Sequence, residues 1–151
     1  MKLAEALIER AELQKENVQL LNRISGNTMV QEGDSPAEDP VELIAKYEEN
    51  MARFLELVQK INVTNSKTPF NDSMSIADAI AHKDNLGAKH RAYTNIYAAA
   101  TININRYSNN EIKFVRCLDI KEVQKQVDKL AKEYREIDTK LQGLNWTTIL
   151  L

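Results

Sequence analysis

Cysteine occurs once in this sequence, at Cys117, and only three prolines and four glycines punctuate its 151 residues. A lone cysteine cannot close an internal disulfide, and that usage fits a reducing compartment. Few turn formers mean few breaks, so the elements are long. Gly26, Gly33, Gly87 and Gly143 never cluster, which excludes a glycine-rich phosphate loop. Charge of one sign is missing too. The 20 basic residues are spread among 22 acidic ones for a net charge of -2, and no basic face of the kind that binds nucleic acid emerges. Long apolar runs are absent. The longest, such as Tyr93 to Ile104 with its polar interruptions, fall far short of the roughly 20 residues needed to cross a bilayer. The start, Met1-Lys2-Leu3-Ala4-Glu5, puts an acid where a signal peptide needs apolar residues. A cytoplasmic location is the resulting expectation.

Metal and catalytic patterns are missing as well. A di-metal helix bundle needs Glu-x-x-His pairs. The residues three before His82 and His90 are Ala79 and Gly87. Asp78 and His82 lie one helical turn apart, with no second motif to join them in a metal site. Cys117, beside Val115 and Leu118, reads as a small buried hydrophobe, since nothing nearby supplies an oriented base. No catalytic residue, cofactor or metal ligand is expected.

What the chain does have is helical periodicity. Ile120, Val123, Val127, Leu130, Tyr134, Ile137 and Leu141 recur at alternating spacings of three and four, which keeps them on one helix face. Asp119 is placed to cap this helix, Glu122 completes a capping-box pattern, and Gly143 is placed to end it, which predicts a helix over about 120–142. Ile44, Tyr47, Met51, Phe54, Val58 and Ile61 repeat the pattern after Asp39-Pro40, predicting a helix over about 40–62. The first helix, about 2–24, has a less regular stripe of Leu7, Ala11, Val18 and Leu21 with Gln14 in its middle, and Leu3, Ile8, Leu20 and Ile24 widen that face. The third begins after Ser75 and runs to about 104, with Gly87 inside it as a point of close helix approach.

Turn formers place connections at Ser25–Glu38, Val63–Met74 and Arg106–Leu118. Glu111 to Phe114 alternates like a short strand, and Thr28 to Gln31 is its expected partner. Lys121, Lys125, Lys129, Lys132 and Arg135 form a drifting stripe among acids, the pattern of a solvated face. Aromatic and cationic residues gather at Arg106-Tyr107, Lys113-Phe114 and Asn145-Trp146, with Glu111 among them. Trp, Tyr and Arg are the residues most often found as interface anchors, so Arg106, Tyr107, Glu111, Lys113, Phe114, Asn145 and Trp146 form the candidate interaction surface. Trp146 either closes its own bundle end or reaches a neighbouring subunit.

Five strings carry a resemblance: MKLAEALIERAELQ at the N-terminus, VQEGDSPAEDP at Val30–Pro40, INVTNS at Ile61–Ser66, RYSNNEIKFV at Arg106–Val115 and KEYREIDTKLQGLNWTT at Lys132–Thr148. In order, they cover most of the chain. The sequence resembles an uncharacterised bacterial family of small helical proteins, some of whose members are labelled septicolysin after a reported cytolysin. The resemblance lends no catalytic residues.

Together these readings predict one mainly α domain over 1–151. It is an antiparallel four-helix bundle of long helices, with short β segments in its connecting loops. The leading functional expectation is a non-enzymatic interaction protein that forms a homo-oligomer, with a further protein partner as an option, no nucleic acid and no transmembrane segment. The alternatives are a septicolysin-like membrane-active protein and an enzyme assembled from loop residues Arg106, Tyr107, Glu111 and Gln31–Asp39.

Overall fold

A computed structural model describes residues 1–102 and 114–151. Among the described residues there are four helices: α1 (Leu3–Gly26), α2 (Pro40–Lys67), α3 (Ile76–Thr101) and α4 (Ile120–Thr147). The mainly α helical-bundle class holds, with α1 packed on α2 and α3 on α4 in antiparallel fashion. By its internal contacts the chain divides into two compact units. The first is Met1–Ile76 with Gln142–Leu151, and the second is Ala77–Leu141.

In the first unit, α1 opens with the Glu5 carboxylate accepting the Lys2 backbone N–H at 2.7 Å. α2 opens on Asp39, whose carboxylate accepts the Val41 N–H at 2.8 Å, with Pro40 in the first turn where its missing donor costs nothing. The seam between the helices is built from Leu3, Ala6, Asn17 and Leu20 of α1 and Leu43, Asn50, Leu57, Ile61 and Thr64 of α2. Full burial of a side chain such as Leu57 or Ile61 stabilises by roughly 1.5–3 kcal/mol. The expected face on α1 is met in part: Leu3 and Leu20 are buried, with Ala6 and Asn17 beside them, while Ala11, Val18 and Leu21 are exposed.

Two helix ends lie beyond their expected positions. α2 continues through Asn65 and Ser66 to Lys67, where turn formers predicted a connection. The Thr64 hydroxyl donates to the Lys60 carbonyl at 2.8 Å and Ser66 to that of Asn62 at 2.9 Å, so these side chains bond back within the helix instead of breaking it. Thr64 is also fully buried, and packing outweighs its weak propensity. At the other end α4 passes through Gly143 to Thr147. Gly143 keeps a negative φ, and Thr147 donates to its carbonyl at 3.1 Å.

The C-terminal tail explains this extension. Thr148 accepts the Leu3 N–H and the Leu150 N–H reaches the Met1 carbonyl, both at 3.0 Å, within an isolated bridge between Lys2 and Ile149. The Leu151 N–H donates to the Thr64 hydroxyl at 2.9 Å. These bonds hold both chain ends against the end of α2.

The connection from α2 to α3 is tied by Asn71, whose side-chain oxygen accepts from Ser73 and Met74, and by a bridge between Pro69 and Ser75. The loop after α1 is closed at its neck: Asn27 accepts the Glu38 N–H at 3.0 Å, and Arg23 forms a forked ion pair with Glu38. Gly33 turns it with φ of 90°, a conformation glycine adopts without strain. Thr28 to Gln31 form no strand, because Asn27 and Thr28 bond to the last carbonyls of α1 instead. Of the expected partner strand, Glu111 to Lys113 lie outside the described residues. Among the described residues there is no sheet, only the two bridges.

In the second unit Val123, Leu130 and Leu141 of α4 are buried, with Ile120, Val127, Tyr134 and Ile137 half-buried beside them. The stripe read from the sequence is the face that packs. Ala79 and Leu86 of α3 are buried. Asp119 accepts the Lys121 N–H at 3.0 Å at the start of α4. Lys83 pairs with Asp138 at 3.1 Å between the helices.

Candidate interaction surface

The antiparallel pairing of α1 and α2 decides which apolar side chains meet solvent. Successive helical residues advance about 100°. On α2 that turns Ile44, Met51 and Leu55 roughly 110–150° from the centre of the buried seam, and on α1 it turns Leu7, Ala11 and Val18 roughly 90–130° from it, with Leu21 nearer the seam. In an antiparallel pair the two sets turn to the same side. Val18 is 61% exposed and Leu55 57%, and Leu21, Ile44 and Met51 are exposed as well. The result is an apolar face along one side of the first unit.

Two asparagines stand behind this face. Asn17 and Asn50 are buried in the seam, and the Asn17 amide nitrogen touches the Met51 sulfur at 3.4 Å. Among the described residues, Asn17 Oδ1 and Asn50 Nδ2 have no hydrogen-bond partner. A buried unpaired polar atom costs roughly 1–3 kcal/mol. The seam carries that cost between Leu43 and Leu57, where apolar residues would pack at none.

The polar rim is ion-paired. Arg53 of α2 forks onto Glu9 of α1 at 2.6 and 3.0 Å and reaches Glu56 at 2.8 Å. The Arg53 guanidinium holds the Glu9 carboxyl below its ordinary value. Lys60, then Arg53, does the same to Glu56, and Arg23 does it to Glu38.

The residues singled out from sequence are dispersed. Arg106, Tyr107, Glu111 and Lys113 lie outside the described residues. Phe114 is exposed in the second unit, and Asn145 and Trp146 belong to the first. Trp146 is 56% exposed on the last turn of α4, so it does not close its own chain's core. Cys117 is exposed, not buried as its neighbours predicted, because Val115 and Leu118 are themselves at the surface. Phe114 to Leu118 line an open apolar hollow of about 830 Å³ with the end of α3.

Sequence reasoning missed one further feature. In the second unit Gly87, His90 and Arg91 of α3 face Ala131, Tyr134 and Arg135 of α4 across a cleft of about 290 Å³. The expected close approach at Gly87 is real: a Cβ there would sit 3.3 Å from Tyr134 Cε2. The basic stripe on α4 mostly reads as expected, with Lys125, Lys129 and Lys132 paired to Glu122, Glu133 and Glu136. Arg135 departs from it by turning to the cleft. The shared spacing of 87/90/91 and 131/134/135 was the available signal.

Among the described residues no three His, Cys, Asp or Glu side chains gather as a metal site, and no helix is long and apolar enough to cross a membrane.

The comparisons with known proteins bear on the whole chain. A model for a family of unknown function, DUF6847, matches residues 10–150. The chain belongs to that family. A solved structure, described as that of a functionally unknown conserved protein from Corynebacterium diphtheriae, is 42% identical and superposes with a TM-score of 0.94 over 100% of this chain and 99% of that one. No curated protein matches. The resemblance to an uncharacterised bacterial family is thus upheld at that level.

Proposed function

We propose that this DUF6847 member is a non-enzymatic helical interaction protein whose first partner is a second copy of itself, docked on the apolar side of α1 and α2. The observation that carries this reading is the exposed row of Val18, Leu21, Ile44, Met51 and Leu55. Two helices cannot bury two apolar faces each, whereas two such pairs laid face to face form a four-helix core. α1 and α2 have 24 and 28 residues. At 1.5 Å per residue and roughly 10 Å per helix width, their face measures on the order of 800 Å², the amount each partner contributes to a standard stable interface. Trp146 and Phe114 remain exposed aromatic anchors for a further contact.

Multi-angle light scattering at micromolar concentration tests the reading. The expected mass is a multiple of 17.2 kDa. Leu55→Glu and Val18→Glu should each shift the protein to monomer with helical circular dichroism unchanged. A monomer throughout would reject self-association. The membrane-active alternative raised by the septicolysin label draws no support from the family or from the corynebacterial structure. Dye release from anionic vesicles by the intact protein, abolished by Leu55→Glu, would restore it over self-association.

A further inference from the structure

We propose that the cleft between α3 and α4 binds a small phosphate monoester through Arg91 and Arg135. Both helices contribute residues at i, i+3 and i+4: Gly87, His90 and Arg91 on one side, Ala131, Tyr134 and Arg135 on the other. This spacing puts each trio on one face of its helix, and the antiparallel pairing turns the two faces together. The cleft therefore has two guanidiniums and an imidazole around apolar walls.

Among the described residues, neither arginine has an acidic partner, a state that Arg10 and Arg116 share. Arg23 is paired with Glu38, and Arg53 with Glu9 and Glu56. The Arg116 Nε donates to the Ala100 carbonyl at 2.7 Å. Among the described residues, Arg91 and Arg135 have neither an ion pair nor a hydrogen bond. The acids along the same stretch of α4 are engaged elsewhere: Asp138 by Lys83 at 3.1 Å, and Glu133 and Glu136 by Lys129 and Lys132 at 3.9 Å. No acidic side chain lines the cleft, which leaves it a net positive charge on a chain whose overall charge is -2.

Gly87 keeps the cleft open. A Cβ at that position would stand 3.3 Å from Tyr134 Cε2 and 3.5 Å from Arg91 Nη1. A glycine inside a helix costs about 1 kcal/mol relative to alanine, and here it preserves space between a ring and a guanidinium. Two guanidinium forks match the tetrahedral oxygens of a dianion better than a single carboxylate's two. The volume of about 290 Å³ takes a phosphate and a small apolar body against Tyr134 and Ala131. It is too small for a polymer to fill.

Isothermal titration calorimetry on the full chain at low salt, with phenyl phosphate, inorganic phosphate and benzoate as probes, tests this. Phenyl phosphate should bind saturably and more tightly than inorganic phosphate, with benzoate weakest. Arg91→Gln and Arg135→Gln should each weaken phenyl phosphate binding about tenfold, and Gly87→Ala should weaken it while leaving the helical spectrum intact. Arg23→Gln should leave it unchanged. No saturation up to about 10 mM phenyl phosphate, equal binding of benzoate, or an equal loss in Arg23→Gln would overturn the assignment. Light scattering does not enter the readout, so failure here leaves the self-association of the first unit standing.

Discussion

The two helix pairs obey the same three-and-four spacing and use it differently. On α4 every member of the stripe from Ile120 to Leu141 is buried or half-buried. On α2 Tyr47, Phe54, Val58 and Ile61 are at least partly covered, while Ile44 and Met51 are exposed and Asn50 and Thr64 occupy the seam. Between Ile120 and Leu141, α4 offers solvent no large apolar side chain, whereas α2 offers Val41, Ile44, Met51, Leu55 and Val63. A helix with one apolar face needs one neighbour. α2 has apolar residues over too wide an arc for α1 alone, and it spends polar residues in the seam it does fill.

The largest expected effect separates the two sides of α2. Leu57 is fully buried and Leu55 is 57% exposed, two positions along the same helix. Leu57→Ala should cost about 2–5 kcal/mol of unfolding free energy by urea denaturation, the sum of lost transfer energy and cavity. Leu55→Ala should stay within about 0.5 kcal/mol for the monomer. If Leu55→Ala cost as much as Leu57→Ala at a concentration where the protein is monomeric, the outward flank would be part of the chain's own core. The comparison between pairs would then fail.

Next in size is the close approach in the other pair. A side chain at Gly87 meets the Tyr134 ring, with the first carbon already at 3.3 Å. Gly87→Val adds two methyl groups there and a β-branched residue in a helix, so a loss of about 1–3 kcal/mol is expected. No equivalent penalty is expected at Gly143, where a Cβ would meet nothing within 4 Å. Gly143→Ala should instead gain up to about 1 kcal/mol from helix propensity. Thermal melts of the two variants, moving in opposite directions, check this.

The buried asparagines give a smaller and opposite effect. Asn50 is 3% exposed and its Nδ2 is unpaired. Asn50→Leu removes that cost, so the variant should melt higher by an amount near 1 kcal/mol. A single polar residue in a helical seam also fixes register and subunit number. Light scattering should therefore show a less uniform assembly as stability rises. A variant that is both less stable and uniformly assembled would mean that Asn50 is satisfied in solution.

These contrasts mark what the residues alone made legible. The four helices of the described residues, their starts and the α4 core face follow from local physics, because periodicity and the Asp39 and Asp119 caps need no knowledge of neighbours. The ends of α2 and α4 were less legible. Thr64 is held by packing and by the Leu151 N–H, and Gly143 by a tail paired to Met1 and Leu3, all contacts between residues far apart in the chain. The α1 face was legible in part: Leu3 and Leu20 are buried as expected, while Val18 and Leu21 look like core but are exposed and Asn17 is buried instead. Cys117 went astray because apolar neighbours in sequence were taken as a guarantee of burial. Of the candidate surface, Phe114 and Trp146 are exposed, while the cleft at Gly87 rested on two trios, each with one arginine, that only the antiparallel register brings face to face.

The smallest effect tests the polar rim that joins α1 to α2. The Arg53 guanidinium lowers the Glu9 carboxyl below its ordinary value of 4.5. A carboxyl whose folded pKa lies below its unfolded one binds fewer protons folded than unfolded. Its contribution is therefore present above the unfolded value and is lost as pH falls through the folded one. Glu9 and Arg53 are each about a third exposed, so solvent screening holds the pair to at most about 1 kcal/mol. Glu9→Gln should lower stability by a few tenths of a kcal/mol at neutral pH and flatten the fall in stability on acidification below about 4.5. In the second unit Lys83 pairs with Asp138 between the helices. Lys83→Met should move the acid limb less than Glu9→Gln does, since Glu9, Glu38 and Glu56, the carboxyls that Arg53, Arg23 and Lys60 hold low, lie in the first unit. Urea midpoints for both variants at neutral and acidic pH decide it: an acid limb that moves with Lys83 instead of Glu9 would place the pH-sensitive seam in the wrong helix pair.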